Sequence, residues 1–343
     1  MDTRMFDWKA DRIESGELCA VCEILRRGGI VALPTETVYG LAANALDERA
    51  VAKIFAAKGR PQDNPLIVHI SDLAMLGELV TAFPEGARRL AGRFWPGPLT
   101  MVLPKSDKIP AATSAGLDTV GIRMPSGEII RRVIEESGLP LAAPSANRSG
   151  RPSTTSARHC IEDLWGRVDA IVDGGECEVG VESTVVSLAG ETPRLLRPGA
   201  VTYEQLCAVL GEVEMDQAVR GQADPESRVS APGMKYRHYA PKAKVRLLLG
   251  GGKEFSDYVN ARAGEGTYAL CFAGEEGALS VPAIVLGKES EPLTIAHRLF
   301  SALRELDEKG AGTVFAHCPA PQGVGLAVYN RMVRAAAFDV IKL

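Results

Sequence analysis

Two cations stand two residues apart at Lys58 and Arg60, within the stretch AAKGRPQDNPLIVHI. They follow a segment with the pattern of an amphipathic helix, at whose C-terminus a cation also favours the helix macrodipole. That structural role would account for one cation, but not for the polar run that continues through Asp63, Asn64 and His69. Two cations on an irregular segment are suited to clamping a phosphate group. The pair therefore predicts an anion site.

Small polar side chains follow a predicted strand in the stretch AAPSANRSGRPS, namely Ser145, Asn147, Ser149 and Ser153. Hydroxyl and amide groups beside Pro and Gly allow the backbone to approach a ligand closely. This second cluster is typical of an anion or ribose site.

The stretch GGIVALPTETVYGL ends a short apolar run at Pro34 and continues with Thr35, Glu36 and Thr37. A similar pattern occurs in GVESTVVS, where Glu182 and Ser183 stand at the start of a predicted strand. Three hydrogen-bonding side chains at the end of a buried strand either close a turn or contact a ligand.

A predicted strand in GLDTVGIRMPS carries Thr119 and Arg123 at alternating positions, which places both on the same face. Arg197 precedes a Pro-Gly turn in LLRPGAV. Each cluster taken singly is a capped turn more often than a site, but several such clusters in one domain favour a binding role.

The residue types in these clusters exclude several kinds of chemistry. The sequence contains no Ser-His-Asp arrangement, no activated cysteine and no obvious metal cluster, since Cys19-x-x-Cys22 lacks a second pair or a nearby His at metal spacing. We therefore expect no metal held by side chains. The groups present bind phosphate, carboxylate and hydroxyl groups. Catalysis would then come from positioning and charge neutralisation, as in phosphoryl and nucleotidyl transfer.

The 343 residues are too many for one typical core, so two domains are expected. Helix-like and strand-like segments alternate irregularly in the first part, which favours an α/β domain with a twisted mixed sheet over residues 1–213. A polar composition from about Glu214 to Arg228 marks a linker or exposed loop, and we expect a linker region over 214–243. Regular alternation over 244–343 predicts a smaller, Rossmann-like α/β domain.

Composition limits the environment and the partners. No run approaches the about 18 apolar residues of a membrane span, and the charged N-terminal segment lacks an apolar signal core, so we expect a cytoplasmic protein. Seven scattered cysteines indicate reduced thiols. Residues 1–213 hold 23 Lys and Arg against 28 Asp and Glu, so RNA would need a local patch such as Arg88, Arg89 and Arg93.

Together the motifs resemble those of the YrdC-type threonylcarbamoyl-AMP synthase family. The matching stretches are PTETVYGL, the Lys58-x-Arg60 pair, NPLIVHI, WPGPLT, GLDTVGIRMP, APSAN and GVESTVV. APGMKYRHYAP and the α/β domain after it resemble the long, two-domain form. The resemblance implies that L-threonine, bicarbonate and ATP give threonylcarbamoyl-AMP and pyrophosphate. A separate tRNA threonylcarbamoyl transferase would use this product to modify adenosine next to the anticodon.

The resemblance also implies roles for individual residues. Lys58 and Arg60 would be catalytic. The residues expected to bind ATP are Lys58, Arg60, Asn64, Thr119, Ser145, Asn147, Ser153, Arg197 and Tyr236. Those expected to bind threonine are Thr35, His69, Arg123 and Ser183, with Arg123 pairing the carboxylate. Mg²⁺ would accompany ATP, bound mainly by phosphates and water. Glu36 and Thr37 would support the shape of their loop.

The resemblance to the two-domain form also implies that the Pro-bounded segment of the 214–243 linker folds back over the catalytic domain, so that Tyr236 and Arg237 close the pocket. We expect this segment to act as a lid that excludes water from an unstable carbamate. Two other functions remain open from the residues. One is a carbamoyl-adenylate transferase of the same fold, and the other is an RNA-binding module. A weak contact with tRNA remains open as a separate partner interaction.

Overall fold

An eleven-stranded mixed sheet carries the first part of the chain in the computed structural model, which describes residues 2–8, 13–219 and 239–343. Its strands are β1 (Arg4–Asp7), β2 (Val31–Leu33), β3 (Gly40–Asn44), β4 (Ile67–His69), β5 (Leu99–Pro104), β6 (Thr119–Arg123), β7 (Leu141–Ala142), β8 (Ala170–Asp173), β9 (Thr184–Ser187), β10 (Arg194–Arg197) and β11 (Glu214–Met215). They lie in the order β1-β8-β2-β3-β7-β4-β6-β5-β9-β10-β11.

Helices connect these strands. They are α1 (Ser15–Arg26), α2 (Glu48–Lys58), α3 (Leu76–Leu79), α4 (Glu85–Phe94), α5 (Ala111–Ser114), α6 (Glu128–Ser137), α7 (Ala157–Leu164) and α8 (Tyr203–Leu210). A buried apolar cluster lies between α1, α6 and the strands β2 and β8, with Leu25, Val31, Ile130 and Val172 among its members.

Helix α2 shows how local chemistry places a functional residue. Asp47 caps its N-terminus, since the Asp47 carboxylate accepts hydrogen bonds from the backbone N–H groups of Arg49 (2.9 Å) and Ala50 (3.3 Å). Gly59 follows in the left-handed conformation with φ of 62°, which ends the helix at Lys58. Lys58 therefore lies in the last turn of a well-defined helix.

The register of three neighbouring strands places polar side chains on one face of the sheet. The parallel pairing of β4 and β6 sets His69 beside Arg123. In the antiparallel pair of β5 and β6, Met101 lies opposite Ile122, so Thr100 lies next to Arg123. Gly121 is on the same face, where an added Cβ would lie 3.2 Å from the Thr100 methyl carbon.

A second, five-stranded parallel sheet carries the last part of the chain. Its strands are β12 (Lys244–Leu249), β13 (Thr267–Phe272), β14 (Ala283–Gly287), β15 (Thr313–His317) and β16 (Val340–Lys342), in the order β14-β13-β15-β12-β16. The connecting helices are α9 (Gly252–Asn260), α10 (Pro292–Glu308) and α11 (Val324–Ala335), with a 3₁₀ turn at Glu276–Ala278. The predicted fold class, a mixed α/β domain plus a smaller parallel α/β domain, is confirmed.

The chain divides into two compact units, one for each sheet. Glu214 and Met215, the first residues of the predicted linker, form β11 and pair with β10. The predicted domain limits at residues 213 and 243 remain a prediction. Residues 220–238 of the predicted linker lie outside the described residues. None of the helices in the described ranges is long and apolar enough to cross a membrane.

Gly199 is predicted to be essential for the packing that follows β10. A Cβ at this position would lie 2.4 Å from the backbone nitrogen of Thr184 and 2.8 Å from the carbonyl carbon of Ser183. We expect Gly199→Ala to destabilise the protein by about 1–3 kcal/mol, as overpacking does. Thermal unfolding followed by circular dichroism measures the effect.

Gly77→Ala is the matched control, because a Cβ on Gly77 meets no atom within 4 Å. That variant should unfold at or slightly above the wild-type temperature. Equal unfolding temperatures for the Gly199 and Gly77 variants would contradict the predicted close contact at Gly199.

Candidate functional site

Lys58 joins the end of α2 to the loop after β7. Its ammonium group donates to the backbone carbonyl oxygens of Ser145 and Asn147, and it lies 3.5 Å from the Asn147 amide oxygen. The side chain is 3% exposed. Burial, reinforced by the nearby Arg60 guanidinium, lowers the pKa of Lys58 well below its ordinary value of 10.5. An anionic ligand at this point would favour the charged form.

Several residues that are predicted to bind phosphate lie around Lys58. The Arg60 guanidinium donates to the carbonyl oxygens of Asn64 (3.4 Å) and Pro65 (3.2 Å). The Ser145 hydroxyl donates to the Asn147 amide oxygen. Asn64 is buried, and its side-chain oxygen has no hydrogen-bond partner among the described residues. The structure thus brings together residues from two segments, while their role as one anion site stays a prediction.

Arg123 forms a buried ion pair on the face of the sheet. Its guanidinium nitrogen Nη2 lies 2.7 Å from the Glu36 carboxylate oxygen Oε1, although neither atom has the alignment of a hydrogen bond. Nη1 donates to the Thr37 hydroxyl (2.9 Å), and Nε donates to the Gly97 carbonyl (3.3 Å). Burial alone would raise the pKa of Glu36, but Arg123 outweighs it and the pKa falls below 4.5.

The Thr35 hydroxyl organises the loop between β2 and β3. It accepts the backbone N–H groups of Thr37 (3.0 Å) and Val38 (3.2 Å), and it lies 2.7 Å from the Val38 carbonyl oxygen. Both lone pairs and the proton therefore have partners within the loop. A ligand contact by this hydroxyl would have to replace one of these bonds, so the predicted role of Thr35 stays a prediction.

His69 is a buried neutral imidazole beside Arg123. Burial, with the Arg123 charge in addition, lowers the pKa of His69 from 6.5 to about 3. The ring nitrogen Nδ1 is buried and has no hydrogen-bond partner among the described residues. At neutral pH the ring can therefore act as a hydrogen-bonding group rather than as a cation.

Ser183 and Arg197 are in direct contact at the start of β9. The Arg197 guanidinium donates to the Ser183 carbonyl oxygen (3.0 Å) and to the Ser183 hydroxyl (3.1 Å). The Ser183 hydroxyl also lies 2.8 Å from that of Thr100, a residue that sequence reasoning missed. Nearby in the chain, Ser153 donates to the Glu182 carboxylate (2.6 Å). Arg197, which is predicted to bind ATP, thus holds Ser183, which is predicted to bind threonine.

Two predicted residues stand apart from these contacts. Thr119 begins β6 and lines a cavity of about 510 Å³ together with Ser187, Arg194 and Asp216. Tyr236, like the neighbouring Arg237 of the predicted lid, lies outside the described residues. Among residues 2–8, 13–219 and 239–343, no group of three or more His, Cys, Asp or Glu could hold a metal ion.

The Glu36–Arg123 pair predicts a pH-dependent stability. Because the folded pKa of Glu36 lies below 4.5, its stabilising contribution is complete above pH 4.5 and is lost as pH falls through the lowered value. Glu36→Gln should destabilise the protein at pH 7 by about 3 kcal/mol or more, since it leaves Arg123 buried without a counter-charge. Chemical denaturation between pH 3 and pH 8 measures the difference, which should shrink below pH 4.5.

Glu135→Gln is the control, because Glu135 pairs with Arg131 on the surface at 3.7 Å. That change should alter the free energy of unfolding by about 1 kcal/mol or less. Equal effects of the Glu36 and Glu135 changes at pH 7 would contradict a stabilising buried pair.

Comparison with known proteins identifies the family of this chain. Residues 23–199 match the Sua5/YciO/YrdC family model, described as "Telomere recombination". Residues 201–337 match a model described as "Threonylcarbamoyl-AMP synthase, C-terminal domain".

Individual proteins match over nearly their whole length. A threonylcarbamoyl-AMP synthase of Pyrococcus abyssi is 46% identical over 97% of this chain and 98% of its own. The Bacillus subtilis protein of the same name is 44% identical over 95% and 94%. The crystal structure of P. abyssi Sua5 complexed with L-threonine superposes with a TM-score of 0.93, covering 99% of this chain and 100% of that one at 45% identity.

These matches confirm the resemblance that the motifs indicated and the assignment as an enzyme. The roles of the individual site residues remain predictions, since a family match does not test single contacts. The chain belongs to the threonylcarbamoyl-AMP synthase family.

Proposed function

We propose that this chain joins L-threonine, bicarbonate and ATP to form threonylcarbamoyl-AMP, releasing pyrophosphate and water. The observation that carries the proposal is the pair of buried cations, Lys58 and Arg123, each surrounded by hydrogen-bonding groups on one domain. Of the three substrates, ATP carries a phosphate chain and threonine carries a carboxylate. One cation for each anion matches that need.

On the threonine side, Arg123 pairs with the substrate carboxylate. Arg123 donates hydrogen bonds to Thr37 and Gly97 and forms an ion pair with Glu36, and a guanidinium has five N–H groups, so donors remain for a ligand. His69, neutral and with a buried nitrogen lacking a partner among the described residues, offers a hydrogen bond without adding charge. Thr35 and Ser183 complete the predicted threonine-binding set.

On the nucleotide side, Lys58 and Arg60 neutralise the triphosphate. Ser145 and Asn147 hold the Lys58 ammonium in place through their carbonyl oxygens. Because the nearby Arg60 helps to lower the pKa of Lys58, a bound phosphate favours its protonation by supplying the missing negative charge. Further nucleotide contacts are assigned to Asn64, Thr119, Ser153, Arg197 and Tyr236.

The chemistry needs two bond-forming steps. The threonine amine attacks the carbon of bicarbonate, and loss of water leaves a carbamate. A carbamate oxygen then attacks the α-phosphorus of ATP, and pyrophosphate leaves. The chain's contribution is to hold both substrates and to offset charge on the phosphates with Lys58 and Arg60. Mg²⁺ would arrive with ATP and bind phosphate oxygens and water, which fits a cationic site that offers it no carboxylate cluster among the described residues.

The product is an activated acyl group, so an acyl-accepting reaction must follow it. We place this step in the cytoplasm, where a tRNA threonylcarbamoyl transferase uses the intermediate on adenosine next to the anticodon. A weak contact with tRNA could use the exposed side of α4. There Arg88 lies over the Phe83 ring at 5.3 Å, and Arg89 and Arg93 are exposed beside it.

Pyrophosphate release in the presence of ATP, bicarbonate and single amino acids tests the proposal. Threonine should stimulate release well above serine or no amino acid. Lys58→Ala and Arg60→Ala should each lower the rate at least about 100-fold, as loss of a charge-stabilising group does. Arg49→Ala on the exposed side of α2 should leave the rate unchanged.

Two other outcomes would replace the proposal. Carbamoyl phosphate supporting pyrophosphate release without threonine would indicate a carbamoyl-adenylate transferase. Salt-dependent binding of tRNA with no pyrophosphate release under any condition would indicate an RNA-binding module.

A further inference from the structure

Thr100 is a fully buried hydroxyl-bearing residue of β5 that faces the site. Its hydroxyl oxygen lies 2.8 Å from the Ser183 hydroxyl oxygen, and among the described residues this is its hydrogen-bond partner. The register places it next to Arg123 on the same face of the sheet. Its methyl group packs towards Gly121, where an added Cβ would lie only 3.2 Å away. The position of Thr100 is therefore tightly defined.

The number of protons on these hydroxyls limits the direction of the bond. A hydroxyl has one proton to donate and two lone pairs to accept. Among the described residues alone, one of the two protons lacks an acceptor whichever hydroxyl donates. With a carboxylate bound at Ser183, donation from Thr100 to Ser183 satisfies both protons, whereas donation from Ser183 to Thr100 would leave the buried Thr100 proton unsatisfied, which is costly. Donation from Thr100 to Ser183 is therefore the arrangement that a bound carboxylate favours.

Arg197 completes the pattern around Ser183. Its guanidinium donates to the Ser183 hydroxyl oxygen at 3.1 Å and to the carbonyl oxygen of the same residue at 3.0 Å. With Thr100 and Arg197 both donating, the two lone pairs of the Ser183 oxygen are occupied. The Ser183 proton is then used by neither neighbour and is available for an acceptor in the site.

We propose that Thr100 is a positioning residue that, with Arg197, fixes Ser183 as a hydrogen-bond donor to the carboxylate of the amino-acid substrate. The proposal rests on the function proposed above. A carboxylate is the matching acceptor because Arg123, the buried cation of this face, lies next to Thr100 and attracts the same negative group. Thr100 acts through Ser183 and does not contact the substrate.

Thr100→Val removes the hydroxyl and keeps the shape of the side chain. We expect KM for threonine to rise about 3- to 10-fold, the range of one hydrogen bond, while kcat and KM for ATP stay within about twofold. Thr100→Ser, which keeps the hydroxyl, should restore most of the affinity for threonine. Thr100→Ala tests the same loss should the valine variant fold poorly.

Calorimetric binding of threonine and of threoninamide gives a readout that a purely structural role would not change. Threoninamide lacks the carboxylate, so the wild-type protein should prefer threonine, and Thr100→Val should reduce that preference by the same 3- to 10-fold. Thr113→Val is the matched control, because it removes another buried threonine hydroxyl, one that donates to the Ala45 carbonyl (2.8 Å). Its threonine preference should equal that of the wild-type protein.

An unchanged threonine-to-threoninamide ratio in Thr100→Val would overturn the proposal, as would equal rises in KM for threonine and ATP. Binding does not require turnover. A wild-type protein that binds threonine but releases no pyrophosphate would therefore contradict the proposed reaction without deciding the role of Thr100.

Discussion

The buried ion pair between Glu36 and Arg123 is the interaction on which the architecture of the site depends. A guanidinium that is only 4% exposed is costly to bury unless partners compensate its charge. Glu36 supplies the counter-charge, and Thr37 and Gly97 accept two further hydrogen bonds. The pair therefore ties the loop between β2 and β3 to the end of β6 and holds a cation where a carboxylate ligand is expected.

This constraint explains why the loop contains Thr-Glu-Thr. Thr35 folds the loop on itself through the backbone N–H groups of Thr37 and Val38, and that turn directs Glu36 towards Arg123. The Glu36 carboxylate also receives the backbone N–H of Gly127 at 3.4 Å. A Cβ on Gly127 would lie 3.2 Å from the Thr35 Cα, so a residue without one suits the close packing of the two loops.

Much of this was predictable from local pattern, and the rest depended on strand order. The alternation of strands and helices indicated two α/β domains, and the prediction that Glu36 and Thr37 support the loop agrees with their bonds to Arg123. That Glu36 meets Arg123 required the order β2-β3-β7-β4-β6, which no local pattern encodes. Thr100 gave no signal, because threonine suits any buried strand and its role depends on Ser183, 83 residues away.

The two cation sites differ in how their charge is balanced, and this difference bears on their ligands. Arg123 has a permanent charge and a carboxylate partner, so that site is nearly neutral before any ligand binds. Lys58 is held by carbonyl oxygens, and burial with Arg60 nearby lowers its pKa. A zwitterionic amino acid suits the first site, since it adds no net charge to a buried pair. A polyanion suits the second, where negative charge favours the ammonium form of Lys58 and offsets Arg60 as well.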